Sequence, residues 1–312
     1  MIEHPVFLVG AERSGTTMLR LMLDHHPDIA WLNEFEYAVD MVGDDATTPE
    51  LDAYIAWLKQ HRIFGATGFE IDPSLDYQRL VHSFLKQRRE RERKPIIGAT
   101  VHRHFDRLIA LFPNTKFIHL VRDPRDVAPS VINMGWAGNV YHACTPWIEA
   151  ERVWDSIEQQ ISSDRFVHIQ YEELLAHPER ELTRACELIG VEYDAAMLGF
   201  HEDTSYRPPD ASASQRWKKT LDDKKVHLIE SRCAEILRRR GYECVHENPK
   251  QPAVMSKLFL AIDNKLGRTR ARIAKFGFSL WIRSLIARRL SPNRAYPRIK
   301  AQMDDVIRSN LQ

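Results

Sequence analysis

Apolar positions along the chain fall into two alternating patterns. Short runs rich in β-branched and aromatic residues occur at 6–9, 28–33, 95–99, 116–121 and 165–170. Between them lie stretches whose apolar residues return every three or four positions, the spacing of one helix face. Met18, Leu19, Met22 and Leu23 form the first such set; Leu51, Ile55 and Leu58 the next; Leu80, Val81, Phe84 and Leu85 a third. Further helices are expected over 103–112, from Asp123 onward, over 146–161 with Trp147, Ala150, Val153, Trp154 and Ile157 inward, and over 179–189 and 224–239. Strands alternating with helices predict an α/β fold with a mainly parallel central sheet between helical layers. Residues 40–95, with a Gly- and Pro-containing loop around 65–73, read as a helical insertion beside the sheet, a place for an acceptor pocket. The mixed-sign run 86–94 reads as a solvated helix end.

Charge divides the chain where the patterning does not. The 312 residues carry a formal charge of only +1. Residues 251–312, however, hold 13 Lys/Arg against 3 Asp/Glu, so the preceding part is net acidic. The expected organisation is an α/β domain over 1–250 and a basic, amphipathic helical extension over 251–312. In the extension Phe278, Trp281, Ile282, Leu285 and Ile286 cluster on one helix face among arginines. Such a helix suits the body of the protein, a second subunit in a homodimer, or an anionic membrane interface. No reading motif accompanies the charge, so nucleic acid is not an expected partner. No apolar run approaches the length of a membrane span. Residues 1–10 read as a core strand and not as a cleavable signal. The four scattered cysteines read as reduced, buried residues, and a cytoplasmic location follows as the expectation.

Chemistry concentrates at the beginning. The run Val6–Val9 breaks into Gly10-Ala11-Glu12-Arg13-Ser14-Gly15-Thr16-Thr17 and then a helix. Strand, glycine loop and helix point backbone N–H groups and a helix N-terminus at an anion. The spacing of Gly10 and Gly15 fits a P-loop, but Thr16 stands where a nucleotide triphosphatase carries lysine. The loop's cation is Arg13 instead, which suits a less charged terminal group. A second anion site is expected at Arg122-Asp123-Pro124-Arg125-Asp126, directly after a strand and with Ser130 further along. Guanidinium and hydroxyl together grip phosphate well. Alone, the same run is a salt-bridged helix start with Asp123 as cap and Pro124 in the first turn.

Taken together, the two segments resemble the sulfotransferases that use 3′-phosphoadenosine 5′-phosphosulfate (PAPS). Arg13, Ser14, Gly15, Thr16 and Thr17 resemble that family's loop for the 5′-phosphosulfate; Arg122 and Ser130 resemble its 3′-phosphate motif. The run from Arg13 to Pro27 is similar to the tyrosylprotein and related bacterial branch, whose general-base glutamate matches Glu34. Tyr171-Glu172-Glu173-Leu174 is similar to the segment whose tyrosine lies against the nucleotide. Arg216, Trp217 and Lys218 resemble the segment that closes over it. The resemblance covers roughly 5–245 and implies a P-loop-like fold and transfer of a sulfuryl group from PAPS to a hydroxyl-bearing acceptor, without a metal. Arg13 and Glu34 are the implied catalytic residues, with Glu36 and His102 as reserve bases.

One departure stands out. Where the family often has Gly-Glu-Lys-Thr-Pro in its third strand, this chain has Gly98-Ala99-Thr100-Val101-His102. Thr100, His102 and Arg103 are the residues that could replace the missing lysine. The rival readings are a P-loop nucleotide or sugar kinase, against which the absent loop lysine argues, and a nucleotide-binding scaffold recruited through its basic tail. His25 and His26 read as helix-end caps, and Trp147 and Trp154 as core.

Overall fold

A computed structural model describes residues 1–291 and 294–309. Those residues form a five-stranded sheet in the order β2-β3-β1-β4-β5, with every neighbouring pair parallel. The strands are β1 (Val6–Val9), β2 (Ile29–Leu32), β3 (Ile96–Val101), β4 (Lys116–Val121) and β5 (Phe166–Gln170). The helices, in chain order, are α1 (Thr16–Asp24), α2 (Leu51–Leu58), α3 (Arg62–Thr67), α4 (Tyr77–Glu92), α5 (Leu108–Leu111), α6 (Pro124–Asn133), α7 (Val140–Ala143) and α8 (Thr145–Glu158). They continue with α9 (Tyr171–Ala176), α10 (Pro178–Ile189), α11 (Trp217–Thr220), α12 (Asp223–Arg239), α13 (Val254–Phe276), α14 (Phe278–Leu290) and α15 (Ala295–Ser309).

The chain divides into two compact units. The first comprises 1–127, 146–221 and 235–243 and contains the sheet. All four residues of β1 are buried, because a central parallel strand is covered on both faces. Val6 and Leu8 point to one face and pack with Met18, Leu19 and Met22 of α1 and with Leu182 and Cys186 of α10. Phe7 points to the other, where its ring lies 5.2 Å from Phe112; there Phe117 meets Trp154 of α8 at 6.0 Å. Trp147 and Trp154 are core residues, as their spacing implies.

The second unit comprises 128–145, 222–234 and 244–312. Arg232 donates to Tyr141 O at 2.6 Å and Thr145 Oγ1 at 2.7 Å, and the Glu230 carboxylate accepts from Val245 N and His246 N.

Two local expectations need correction. The stretch around 65–73 is partly helical, since α3 runs to Thr67 before Gly68 turns the chain at φ +63°. The run 86–94 is not simply solvated: Arg88 pairs with Asp24 and Glu92, and Arg91 donates to Thr67 O and Gly68 O. The cysteines are free, with Cys144, Cys186 and Cys233 buried and Cys244 half-buried. Burial raises the Cys144 and Cys186 thiols to about 11, far from a reactive range.

Candidate active site

A parallel sheet gathers its binding residues where the strands' carboxyl ends meet loops. β1 ends at the glycine loop, β2 at Asn33 and Glu34, β3 at His102, β4 at Arg122 and β5 at Tyr171. Register brings these ends level, since Val9 pairs with Val101 on one side and with His119 on the other, and Val121 with Gln170.

The loop after β1 is built on backbone only certain residues tolerate. Gly15 sits at φ +96°, and a Cβ there would lie 2.2 Å from Tyr171 Cε2. Arg13 adopts φ +72°, a left-handed conformation that costs a non-glycine residue free energy. Its side chain is exposed, whereas Ser14 is fully buried. Thr16 opens α1, whose first turn carries no acidic residue to compete with a bound anion.

Across from the loop, the ends of β2 and β3 form a polar chain. His102 Nε2 and Thr16 Oγ1 are 3.0 Å apart, and His102 Nδ1 lies 2.7 Å from Glu36 Oε1. The same carboxylate oxygen accepts from His102 N at 2.9 Å. The His102 and Glu36 side chains are only 12 % and 3 % exposed. Burial alone pushes each toward its neutral form. Their mutual hydrogen bond and charge outweigh that, holding the imidazole above its ordinary pKa and the carboxyl below its own. Glu34 shifts the other way. It keeps exposed surface, yet the protein around it desolvates the carboxylate, and neighbouring Glu36 repels it. Its pKa rises against the pull of His102 and Arg62.

Thr100, His102 and Arg103, the residues at the place of the absent lysine, differ in what they contact. Thr100 is buried and its Oγ1 accepts from Trp31 Nε1 at 3.0 Å. Arg103 is clamped on Asp40 by bonds of 2.8 and 2.7 Å. His102 is the candidate that reaches the loop.

At β4 and β5 the two guanidiniums of Arg-Asp-Pro-Arg-Asp separate in role. Arg125 is buried, grips Asp123 through Nε and Nη2, and lies 3.9 Å over the Trp217 ring. Trp217 N donates to Asp126 Oδ1 at 2.7 Å, which seats α11. Arg125 therefore serves the salt-bridged helix start. Arg122 stacks 4.4 Å over the Tyr171 ring, with a long 3.5 Å contact to Arg13 O. Beneath it Glu172 accepts from Asp123 N at 3.1 Å and from the Tyr242 hydroxyl at 2.8 Å. Arg216 and Lys218 are exposed beside buried Trp217. Ser130 lies on α6 but in the second unit.

Among the buried donors at this edge that lack a protein partner are Ser14 Oγ and Arg122 Nε. Buried polar groups are rarely left unpaired, because desolvation costs about 1–3 kcal/mol each. An anion supplies the acceptor both need, so the residues present fit a phosphate-bearing ligand. His25 and His26 are structural: His25 Nδ1 is 2.7 Å from Leu21 O, and His26 Nε2 is 2.9 Å from Glu192 O. Among the described residues no group of three His, Cys, Asp or Glu is placed to hold a metal ion.

The sequence motifs single out Arg13–Thr17, Glu34, Arg122 and Tyr171, all of which lie in the first unit. They do not pair Glu36 with His102, which are 66 residues apart, or Glu172 with Tyr242, 70 apart. The legible hint was that Glu36 and His102 each follow a predicted strand.

A family model described as "Sulfotransferase family" matches residues 5–195. The chain is 24 % identical over 260 residues to protein-tyrosine sulfotransferase A of Caenorhabditis elegans, covering 76 % of this chain and 67 % of that protein. It is 28 % identical over 228 residues to protein-tyrosine sulfotransferase 2 of Gallus gallus, covering 67 % and 57 %. The chain thus spans about two thirds or less of these tyrosine sulfotransferases. It is 23 % identical over 305 residues to the omega-hydroxy-beta-dihydromenaquinone-9 sulfotransferase of Mycobacterium bovis, covering 77 % and 76 %. Among solved structures, the sulfotransferase domain from the curacin biosynthetic pathway superimposes with a TM-score of 0.57 at 18 % identity, covering 78 % of this chain and 99 % of that domain.

Proposed function

Because the chain belongs to the sulfotransferase family, we propose that it transfers a sulfuryl group from PAPS to a hydroxyl-bearing acceptor. The observation that carries this reading is the pair of buried, unpartnered donors, Ser14 Oγ and Arg122 Nε, at the ends of adjacent parallel strands. The relatives' names specify a protein tyrosine and an omega-hydroxy menaquinone, and both are hydroxyl acceptors.

PAPS, when bound, supplies a sulfuryl group activated by its bond to the nucleotide's 5′-phosphate. Ser14, Gly15, Thr16 and Thr17 hold that 5′ end with hydroxyls and with the N-terminus of α1, and Arg13 adds charge from the loop. His102, whose protonated form the Glu36 carboxylate favours, brings a second cationic group behind Thr16 and takes the place of the absent third-strand lysine. Glu34 accepts the proton of the acceptor hydroxyl. Its raised pKa makes it a better base than an ordinary carboxylate. His102 is unsuited to that task because Thr16 and Glu36 already occupy both of its ring nitrogens. Arg122 binds the 3′-phosphate and Tyr171 lies against the nucleotide. Arg216 and Lys218 add cations beside α11, whose position Trp217 fixes from below. Ser130's part in holding the 3′-phosphate rests on its spacing from Arg122 alone. Charge on the leaving oxygen is met by Arg13 and His102, so chelators should not abolish turnover.

Glu34→Gln tests the assignment. Affinity for adenosine 3′,5′-bisphosphate should be unchanged by calorimetry, while kcat falls by about 10²–10⁴, the usual contribution of a positioned base. Turnover from labelled PAPS equal to wild type would remove Glu34 from the role.

A further inference from the structure

The second unit carries a helix surface outside the residues placed in the candidate site. α13 is docked within that unit along one face. Gly138 N donates to Asn264 Oδ1 at 2.7 Å, and Asn139 Nδ2 donates to Leu260 O at 2.8 Å and Asp263 Oδ2 at 2.9 Å. Gly267 passes so close to Gly138 that a Cβ on it would lie 2.5 Å from Gly138 Cα. Leu260, Asn264 and Gly267 recur every three or four residues and therefore share a face.

The opposite face is apolar and open. Met255, Leu258, Phe259, Ile262 and Leu266 follow the same spacing half a turn away, and each is 49–65 % exposed. A monomer rarely leaves such a row of large apolar side chains in water without a use. Flanking it are Lys265 and Arg272 on one side and Arg270 on the other, all exposed, while the acidic residue of this helix, Asp263, is bonded to Asn139. Among the described residues no helix is long and apolar enough to cross a membrane.

We infer that α13 lies in the plane of an anionic lipid surface, apolar row inward and basic residues at headgroup level. An apolar stripe flanked by cations is the pattern of an interfacial helix, in which Lys and Arg stems extend the apolar face while their charges reach lipid phosphate. A second copy of the chain fits less well. It would set this basic helix, within a segment of 13 Lys/Arg and 3 Asp/Glu, against its own like charge.

Vesicle flotation of the full chain, without substrates, tests this independently of any activity. The probes are vesicles of phosphatidylcholine alone and of phosphatidylcholine with about one third phosphatidylglycerol. The chain should float with the anionic vesicles at ~0.1 M salt and be largely released at ~0.5 M, where screening shortens the reach of the charges. Ile262→Asp with Leu266→Asp should reduce binding tenfold or more, and Arg270→Gln with Arg272→Gln by about tenfold. All four side chains are exposed, so thermal melting should be unchanged. Three results would overturn the inference: no flotation with anionic vesicles, equal binding to both vesicle types, or an aspartate variant that binds like wild type. A dimer in light scattering that the aspartate pair dissociates would also overturn it, by assigning the face to a second copy.

Discussion

A histidine held at both ring nitrogens changes its proton count reluctantly. His102 has Thr16 on one nitrogen and Glu36 on the other, and its elevated pKa keeps it cationic beyond the ordinary range. Glu34, with its pKa also raised, loses its proton later than a free glutamate. The kcat/KM profile should therefore rise through a midpoint above the ordinary glutamate value and fall through one above the ordinary histidine value. His102→Asn should remove the alkaline limb and keep the acid limb; an unchanged alkaline limb would assign it to another group. Stability follows the same signs. The imidazolium's contribution is present below its unfolded pKa and is lost as pH rises through the higher folded value. That of Glu36 is present above its unfolded pKa and is lost as pH falls through its lower folded value. Residue types announced this site better than residue roles did. Arg122 and Arg125 look alike in sequence, and only packing shows Arg125 committed to Asp123 and Trp217.

Elements make the site by ending at the same edge of one sheet. Val6–Val9 is legible as a strand because it is buried on both faces and reads as an uninterrupted apolar run; Lys116–Val121 is legible by its apolar and β-rich residues in spite of Lys116 and His119. Their order, with β3 between β2 and β1, is set by contacts far apart in sequence and leaves no local trace. The helix Arg62–Thr67 escaped the pattern because a single short turn with Gly65 inside it has almost no periodicity. The strand–loop–helix at the front is where local sequence and function coincide. Gly15 carries that coincidence: its φ of +96° and its contact with Tyr171 leave no room for a methyl. Gly15→Ala should cost about 1–2 kcal/mol of stability from the backbone alone. It should also displace Tyr171, weakening adenosine 3′,5′-bisphosphate binding in calorimetry. Unaltered melting and binding together would mean that the loop is not packed as described.

At the scale of the whole molecule, the family assignment drawn from two short motifs agrees with the family model over 5–195. The charge asymmetry was equally plain in the sequence. That residues 128–145 and 222–234 would join 244–312 in one compact unit was not, because 146–221 and 235–243, which belong to the sheet-bearing unit, lie between them in sequence. Acceptor choice was not legible either, since residues 40–95 carry helices and no chemical motif. We propose that the loop Arg13–Thr17 and its partner Arg122, an anion site built without a P-loop lysine, suit a nucleotide carrying a 3′-phosphate and a singly activated 5′ end. Isothermal calorimetry with a chelator present, comparing adenosine 3′,5′-bisphosphate with ATP, and then ATP with Mg²⁺ restored, puts this most directly. Metal-independent binding of the bisphosphate, with ATP at least ~100-fold weaker in either condition, is the predicted result, a gap of about 2.7 kcal/mol. Tight binding of ATP with Mg²⁺ and none of the bisphosphate would contradict the account.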